Sequence, residues 1–235
     1  MFQWFLLLVA IFMLLIQKSM YTSDDQDEIV VARFNEDLSW LDQYKGKRKV
    51  TVYNKGPNEY PGATKLPNVG NESHTYLWHI VNRYDTLAPR TVFIMGSAVS
   101  RDDRRPILTN LFSKLDTHDK SEFDISCHTV EDLQTHAYEF TLDEIEKTTK
   151  ENTDIINEKK LEPSPERPFG KWYETNFGNF KSDKICYIPN FAVTRDDIRR
   201  KPKEYYKHLL DKYLSNSIHP EVGHYFERAW YAVFS

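Results

Sequence analysis

A chain of 235 residues, with 40% hydrophobic and 14% aromatic side chains and a net charge of -4, carries enough apolar material for one sizeable core. The acidic balance, with a pI near 6.1, argues against a nucleic-acid binder, and the short basic run Lys45–Lys49 reads as a solvated turn before a strand. Two cysteines, Cys127 and Cys186, exclude a disulfide scaffold and a zinc ribbon; one bridge in an oxidising compartment and two buried thiols both remain open.

Trp4–Ile16 is an unbroken apolar run. A bilayer-crossing helix needs roughly 20 residues, which Phe2–Met20 reaches if Lys18 snorkels to the headgroups. Met1–Gln3 holds no cation, and no A-x-A cleavage site follows. Residues 1–20 therefore read as a signal anchor, which predicts a single-pass membrane protein of the ER/Golgi type or of a viral membrane. The alternatives are a cleaved signal peptide on a secreted protein and a buried or interfacial helix. Residues 21–28 form a polar stem, and 29–235 read as a single α/β domain with a variable insertion at about 117–168.

Ile29–Arg33 is the first expected strand, Leu38–Leu41 opens a short helix, and Lys49–Tyr53 is the second strand, closed by the turn signal Asn54-Lys55-Gly56-Pro57. Strand, helix, strand is the opening of an α/β sheet, in which ligands bind outside the carboxyl ends of strands. Arg33, Asn35, Glu36 and Asp37 stand at such an end. Arg33 has the fork to pair with a diphosphate, and Glu36 or Asp37 can accept from a ribose or a base; equally, Asn35 to Asp37 cap the next helix.

Glu72–Tyr84 reads as a helix with the apolar stripe Leu77, Ile80, Val81, Tyr84 and with Asn71 as its cap. Gly70 permits close approach of a ligand to the backbone, and the free N–H groups of the helix start suit a phosphate. Glu72 and His79, seven apart, share one helical face. Asn71-Glu72-Ser73 also matches a glycosylation acceptor sequence. Thr91–Met95 is a third strand. The loop behind it carries Asp102-Asp103, able to hold a divalent metal together with substrate phosphates unless Arg101, Arg104 and Arg105 take that role. Ile107–Leu115 reads as a helix. Ile185–Val193, interrupted by Pro189, reads as strand, bend, strand. Thr194 before Asp196-Asp197 reads as a helix cap, and Pro202 as the first turn of a new helix.

The final helix, Pro220–Phe234, is the sharpest local pattern. At 100° per residue, Glu221, His224 and Arg228 fall within about 60° of one another, opposite Val222, Phe226, Ala229 and Val233. Glu221, near the helix N-terminus, is favoured as an anion and so as a proton acceptor; Glu227, three residues from His224, is the alternative partner for that ring. A plain surface face is the competing interpretation.

The segments VVARFNEDLSWL (Val30–Leu41), VYNKG (Val52–Gly56), PNVGNESHTYLWHIVNRYDTL (Pro67–Leu87), FAVTRDDIRRKPKEYYKHL (Phe191–Leu209) and HPEVGHYFERAWYAVF (His219–Phe234) resemble the DUF3431 family, found in fungi, bacteria and large DNA viruses. The element order is also similar to that of a GT-A glycosyltransferase, a nucleotide-diphospho-sugar transferase fold built on a single mixed sheet. That likeness implies a sugar transferred from a nucleotide-sugar donor to a hydroxyl of a glycan acceptor. It makes Asn35-Glu36 the pair at the first strand end, Asp102-Asp103 the place for Mn²⁺ or Mg²⁺, and Glu221 or Glu227 the base. Asp102-Asp103 form no D-x-D, however, and lie well beyond Met95. Arg33, Lys55, Arg101 or Arg195 would meet the departing diphosphate. A non-catalytic carbohydrate- or protein-binding ectodomain and a phosphoester hydrolase are the competing functions. The sequence lacks the G-x-S-x-G, H-E-x-x-H and P-loop patterns of common hydrolases and NTPases.

Overall fold

The computed structural model describes residues 26–100, 102–117, 126–128, 136–143, 156 and 160–235. The apolar segment at 1–20, residues 21–25 of the stem, Arg101 and much of the insertion at 117–168 lie outside the described residues. Among the described residues no helix is long and apolar enough to cross a membrane.

Six strands form one mixed sheet: β1 (Glu28–Arg33), β2 (Lys49–Asn54), β3 (Thr64–Lys65), β4 (Arg90–Met95), β5 (Ser126–His128) and β6 (Tyr187–Thr194), in the order β3-β2-β1-β4-β6-β5. The β3-β2-β1-β4 half is parallel, with Ile29 opposite both Val50 and Val92. β6 runs antiparallel to β4 and to β5. Strand order reverses at β1, so the carboxyl ends of β1 and β4 flank the crevice where open sheets take their ligands.

Helices cover both faces, and β1 is buried along its whole length, as expected of a parallel strand with no solvent side. Val30, Ala32, Tyr53, Phe93 and Phe191 face the larger core, made with α1 (Asn71–Arg83), α3 (Phe169–Phe177), α5 (Lys203–Tyr213) and α6 (Glu221–Phe234). Ile29, Val31, Val52, Val92 and Ile94 face the smaller core, closed by the 3-10 turn Ser39–Tyr44 and by α2 (Arg105–Thr117). The two-residue alternation of a strand is what divides these sets. The larger core is dense in rings: Tyr76, Phe93, Phe191 and Trp230 lie with centroids 4.8–5.8 Å apart, a spacing that favours tilted and edge-to-face pairs.

Four local expectations change. Asn71 does not cap α1: Gly70, at φ +61, stands at the cap, and Asn71 follows at φ +49 inside the first turn. The stretch around Pro189 is one strand, with the bend absorbed at Ile188, whose φ is +64. The short helix after β1 is a 3-10 turn. Cys127 and Cys186 are joined, with Cα atoms 5.6 Å apart, so the buried-thiol alternative falls. Two expectations hold. Thr194 caps α4 (Arg195–Arg199) by accepting from the Asp197 N–H at 3.0 Å, and Pro202 precedes the first residue of α5.

Candidate functional site

The carboxyl ends of β1 and β2 are tied together by Arg33. Its guanidinium donates to Asn54 Oδ1 at 2.9 Å, to the Asn58 carbonyl at 3.1 Å and to the Glu36 carbonyl at 3.0 Å, and it lies over the Tyr60 ring at 5.1 Å. Through Nε and Nη1 the buried fork expected to grip a diphosphate fastens two loops. Glu36 folds back to accept the N–H groups of Phe34 (2.7 Å) and Asn35 (3.1 Å). Its carboxylate rests on Gly96 at the end of β4, where a Cβ would stand 2.7 Å from Oε2 and would push the carboxylate aside. Asn35 accepts weakly from the Asn58 N–H at 3.5 Å. Asp37 is exposed and binds the N–H and hydroxyl of Ser39 at 3.0 and 2.6 Å, which lowers its pKa and matches the capping role.

Next along this edge is Lys55, whose N–H donates to the Arg33 carbonyl at 2.8 Å. Its side chain is buried, and Nζ donates to the carbonyls of Val69 and Asn71 at the start of α1. Burial pulls the ammonium down to about 8, against the attraction of Glu72. Glu72 lies at the same helix start. Its carboxyl is raised by burial and then by the negative Glu227, against its own backbone N–H, His224 and Lys55.

Glu227 comes from the second turn of α6. It stands 3.6 Å from His224 Nδ1 and 3.8 Å from Arg228, and accepts the Ile188 N–H at 3.2 Å. Burial alone would raise this carboxyl. The His224 ring, Arg228 and the Ile188 N–H outweigh it and hold the group at about 2. Arg228 packs 3.6 Å over the Phe140 ring, donates to the His224 carbonyl at 2.9 Å, and is itself lowered by burial. The starts of α1 and α6 approach closely because residue 223 is glycine: a Cβ there would stand 2.7 Å from Asn71 Nδ2. Asn71 therefore packs inside this seam, and its glycosylation match carries no weight.

Lys55, Gly70, Asn71, Glu72, His224, Glu227 and Arg228 thus meet at one edge of the sheet. Other candidates do not join them. Glu221 is fully buried and accepts the N–H groups of Leu142 and Ser164, each at 2.8 Å, while Arg167 binds both its oxygens at 3.0 and 2.9 Å. It anchors two loop segments to α6. The reason is angular: Glu227 stands about 120° around the helix from Glu221. His79 is seven residues beyond Glu72 on a helix rising about 1.5 Å per residue, which takes it to the opposite edge. There it meets the Tyr53 hydroxyl at 2.9 Å and lies 3.9 Å from Glu28, and burial lowers its pKa to about 4. It is a core histidine. Asp102 is exposed, 3.8 Å from Arg105, with Asp103 exposed beside it. Among the described residues no three His, Cys, Asp or Glu side chains gather as a metal-binding group.

The sequence reading passed over three groups at this edge. Tyr76, fully buried, donates to the Pro189 carbonyl at 2.9 Å. Asn190, 1% exposed, accepts the Met95 N–H at 3.0 Å and leaves Nδ2 without a hydrogen-bond partner. Ile188 supplies the N–H for Glu227. A lone Asn behind a Pro inside the apolar run Ile185–Val193 was the available signal.

The molecule is therefore a mixed-sheet α/β domain with a polar, partly buried cluster at the carboxyl edge of its parallel half. The chain belongs to DUF3431, a family described as a protein of unknown function, whose model matches residues 29–235. No curated protein and no solved structure matches it.

Proposed function

We propose that the domain is a glycosyltransferase, moving a sugar from a nucleotide-sugar donor to a hydroxyl of a glycan acceptor. The carrying observation is the pairing at the carboxyl edge of Glu72 with Glu227, alongside Lys55 and His224. Two carboxyl groups pushed in opposite directions divide the work: the raised one exchanges protons, the lowered one stays anionic. Glu72 takes the proton of the attacking hydroxyl. Glu227 remains charged and orients His224, and Lys55 with His224 meets the negative charge that develops on the leaving diphosphate. This assigns the base to Glu72 in place of Glu221.

The sheet supports the reading. The parallel order 3-2-1-4 leaves a crevice beside Glu36 and Gly96, and a mixed sheet is compatible with a GT-A-like order. A divalent ion, Mn²⁺ or Mg²⁺, would have only the exposed Asp102 and Asp103 as carboxylate ligands from the loop behind β4, so diphosphate charge falls to the cations named above. The disulfide favours an oxidising compartment, in keeping with a membrane-anchored protein facing a lumen or the cell exterior.

Full-length protein in detergent is expected to gain thermal stability from one member of a UDP, GDP and CMP panel, tested with and without Mn²⁺. At 100 times Kd the gain is about 2.7 kcal/mol. Glu72→Gln should keep that gain and abolish transfer. Absence of any shift across the panel would overturn the assignment.

A further inference from the structure

Ile188 is β-branched, precedes a proline and sits at φ +64. Each of these facts disfavours the conformation: L side chains rarely enter the left-handed region, branched ones least, and a following proline restricts the backbone further. Such a residue persists only where its surroundings over-determine it, and here they do. Two residues before it, Cys186 is bonded to Cys127 of β5, and the Cys186 N–H donates to the Arg228 carbonyl at 3.0 Å. One residue after it, the Pro189 carbonyl accepts the Tyr76 hydroxyl at 2.9 Å. The next side chain, Asn190, accepts the Met95 N–H at 3.0 Å. Tyr76 has no freedom to follow a shifting strand, since it is fully buried against Phe93, Phe191 and Trp230. The strained peptide aims its N–H at Glu227 Oε1, 3.2 Å away.

We propose that Tyr76 and the Cys127–Cys186 disulfide are positioning groups for this site, holding the Ile188 peptide from both sides so that its N–H fixes the Glu227 carboxylate. Their importance for turnover rests on the glycosyltransferase reading; their effect on Glu227 does not. The charged and titratable groups facing Glu227 are Glu72 and Tyr76 from α1, Tyr187 from β6, and His224 and Arg228 from its own helix. None of these changes its chemistry when the disulfide opens; Arg228 and Tyr187 adjoin Cys186, so Tyr76→Phe, which leaves both in place, is the companion measurement.

The test follows the Glu227 carboxyl carbon by NMR in full-length protein labelled at glutamate, assigned by its loss in Glu227→Gln. Three forms are compared with the parent: Tyr76→Phe, which keeps the ring packing and removes the hydroxyl; protein reduced by a dithiol, which becomes a cyclic disulfide as two thiols form; and Ile188→Gly, for which φ +64 is unstrained. The first two should raise the Glu227 titration midpoint by about half a pH unit or more, about three-fold in proton affinity. Ile188→Gly should leave it in place. Tyr76→Phe and reduced proteins that melt cooperatively with an unmoved midpoint would overturn the proposal. If the reduced protein does not fold, Tyr76→Phe alone decides. Titration as expected in a protein that binds no nucleotide would uphold the positioning role and sink the transferase instead.

Discussion

Replacing Glu221 by Gln separates a structural carboxylate from a catalytic one. The native group accepts two backbone N–H groups and one Arg167 Nη2–H, with Arg167 Nε 2.9 Å from its other oxygen, and none of its side chain reaches solvent. Gln keeps one acceptor oxygen and turns an amide NH₂ toward a donor, so one of those N–H groups or one Arg167 prong loses its partner. Hydrogen bonds to a charged group contribute about 1.5–3 kcal/mol each, and removing one member of a buried ion pair costs about 3–5 kcal/mol. Arg167 is 30% exposed and keeps Asp143 as a second partner, which places the cost toward the lower end. About 3 kcal/mol lowers the melting temperature of a domain this size by roughly 6–12 °C. Thermal melts followed by circular dichroism at neutral pH measure it. A variant that melts within about 2 °C of the parent while losing transfer activity would refute the reasoning and return Glu221 to the role of base.

Glu72→Gln should act in the opposite direction. A carboxyl raised in the folded state is penalised once ionised, so stability from this group falls as pH rises past the unfolded value near 4.5 and through the folded one. The variant should therefore be more stable than the parent at pH 7, by about 0.5–2 kcal/mol, and indistinguishable from it in acid; urea unfolding at pH 4 and pH 7 checks both. Lys55 carries a lowered pKa, near 8 against 10.5 unfolded. The unfolded chain then holds more protons between those values, and stability from this group rises with pH across that window. That rise should vanish in Lys55→Met, a comparison of denaturation midpoints at pH 8 and pH 10 that fails if both proteins show the same slope.

Much of the sheet was legible because β1, β2 and β4 are apolar runs ended by turn residues, and α1 and α6 carry helical stripes. β3 was not, since Thr64–Lys65 is two exposed residues paired with β2, too short to carry a pattern. α3 was missed because Pro163, Pro165 and Pro168 suggested a broken chain, whereas Phe169, Trp172 and Tyr173 bury a full aromatic face just behind them. At the site, Lys55, Glu72, His224 and Glu227 were all singled out from the sequence, yet their grouping was not. Arg33 suits phosphate by residue type, but its partners include the backbone carbonyls of Glu36 and Asn58, which no side-chain pattern reveals. The spacing of Glu72 and His79 was read correctly as one face, without the consequence that a helix antiparallel to its strands delivers them to opposite edges.

Glu72, Glu221 and Glu227 also show why acid type and helical face do not by themselves assign a base. A base needs an accessible lone pair and an affinity for protons near the working pH. Glu221 fails the first requirement, with three hydrogen bonds and the Arg167 ion pair on its two oxygens and no exposed surface. Glu227 is 24% exposed, but a carboxyl held near 2 by its neighbours is a poor proton acceptor at neutral pH. Glu72 is raised first by burial and then by Glu227 across the seam, so its surroundings favour the protonated form. Neutralising Glu227 in Glu227→Gln should then lower the proton affinity of Glu72 and weaken it as a base with its own side chain untouched.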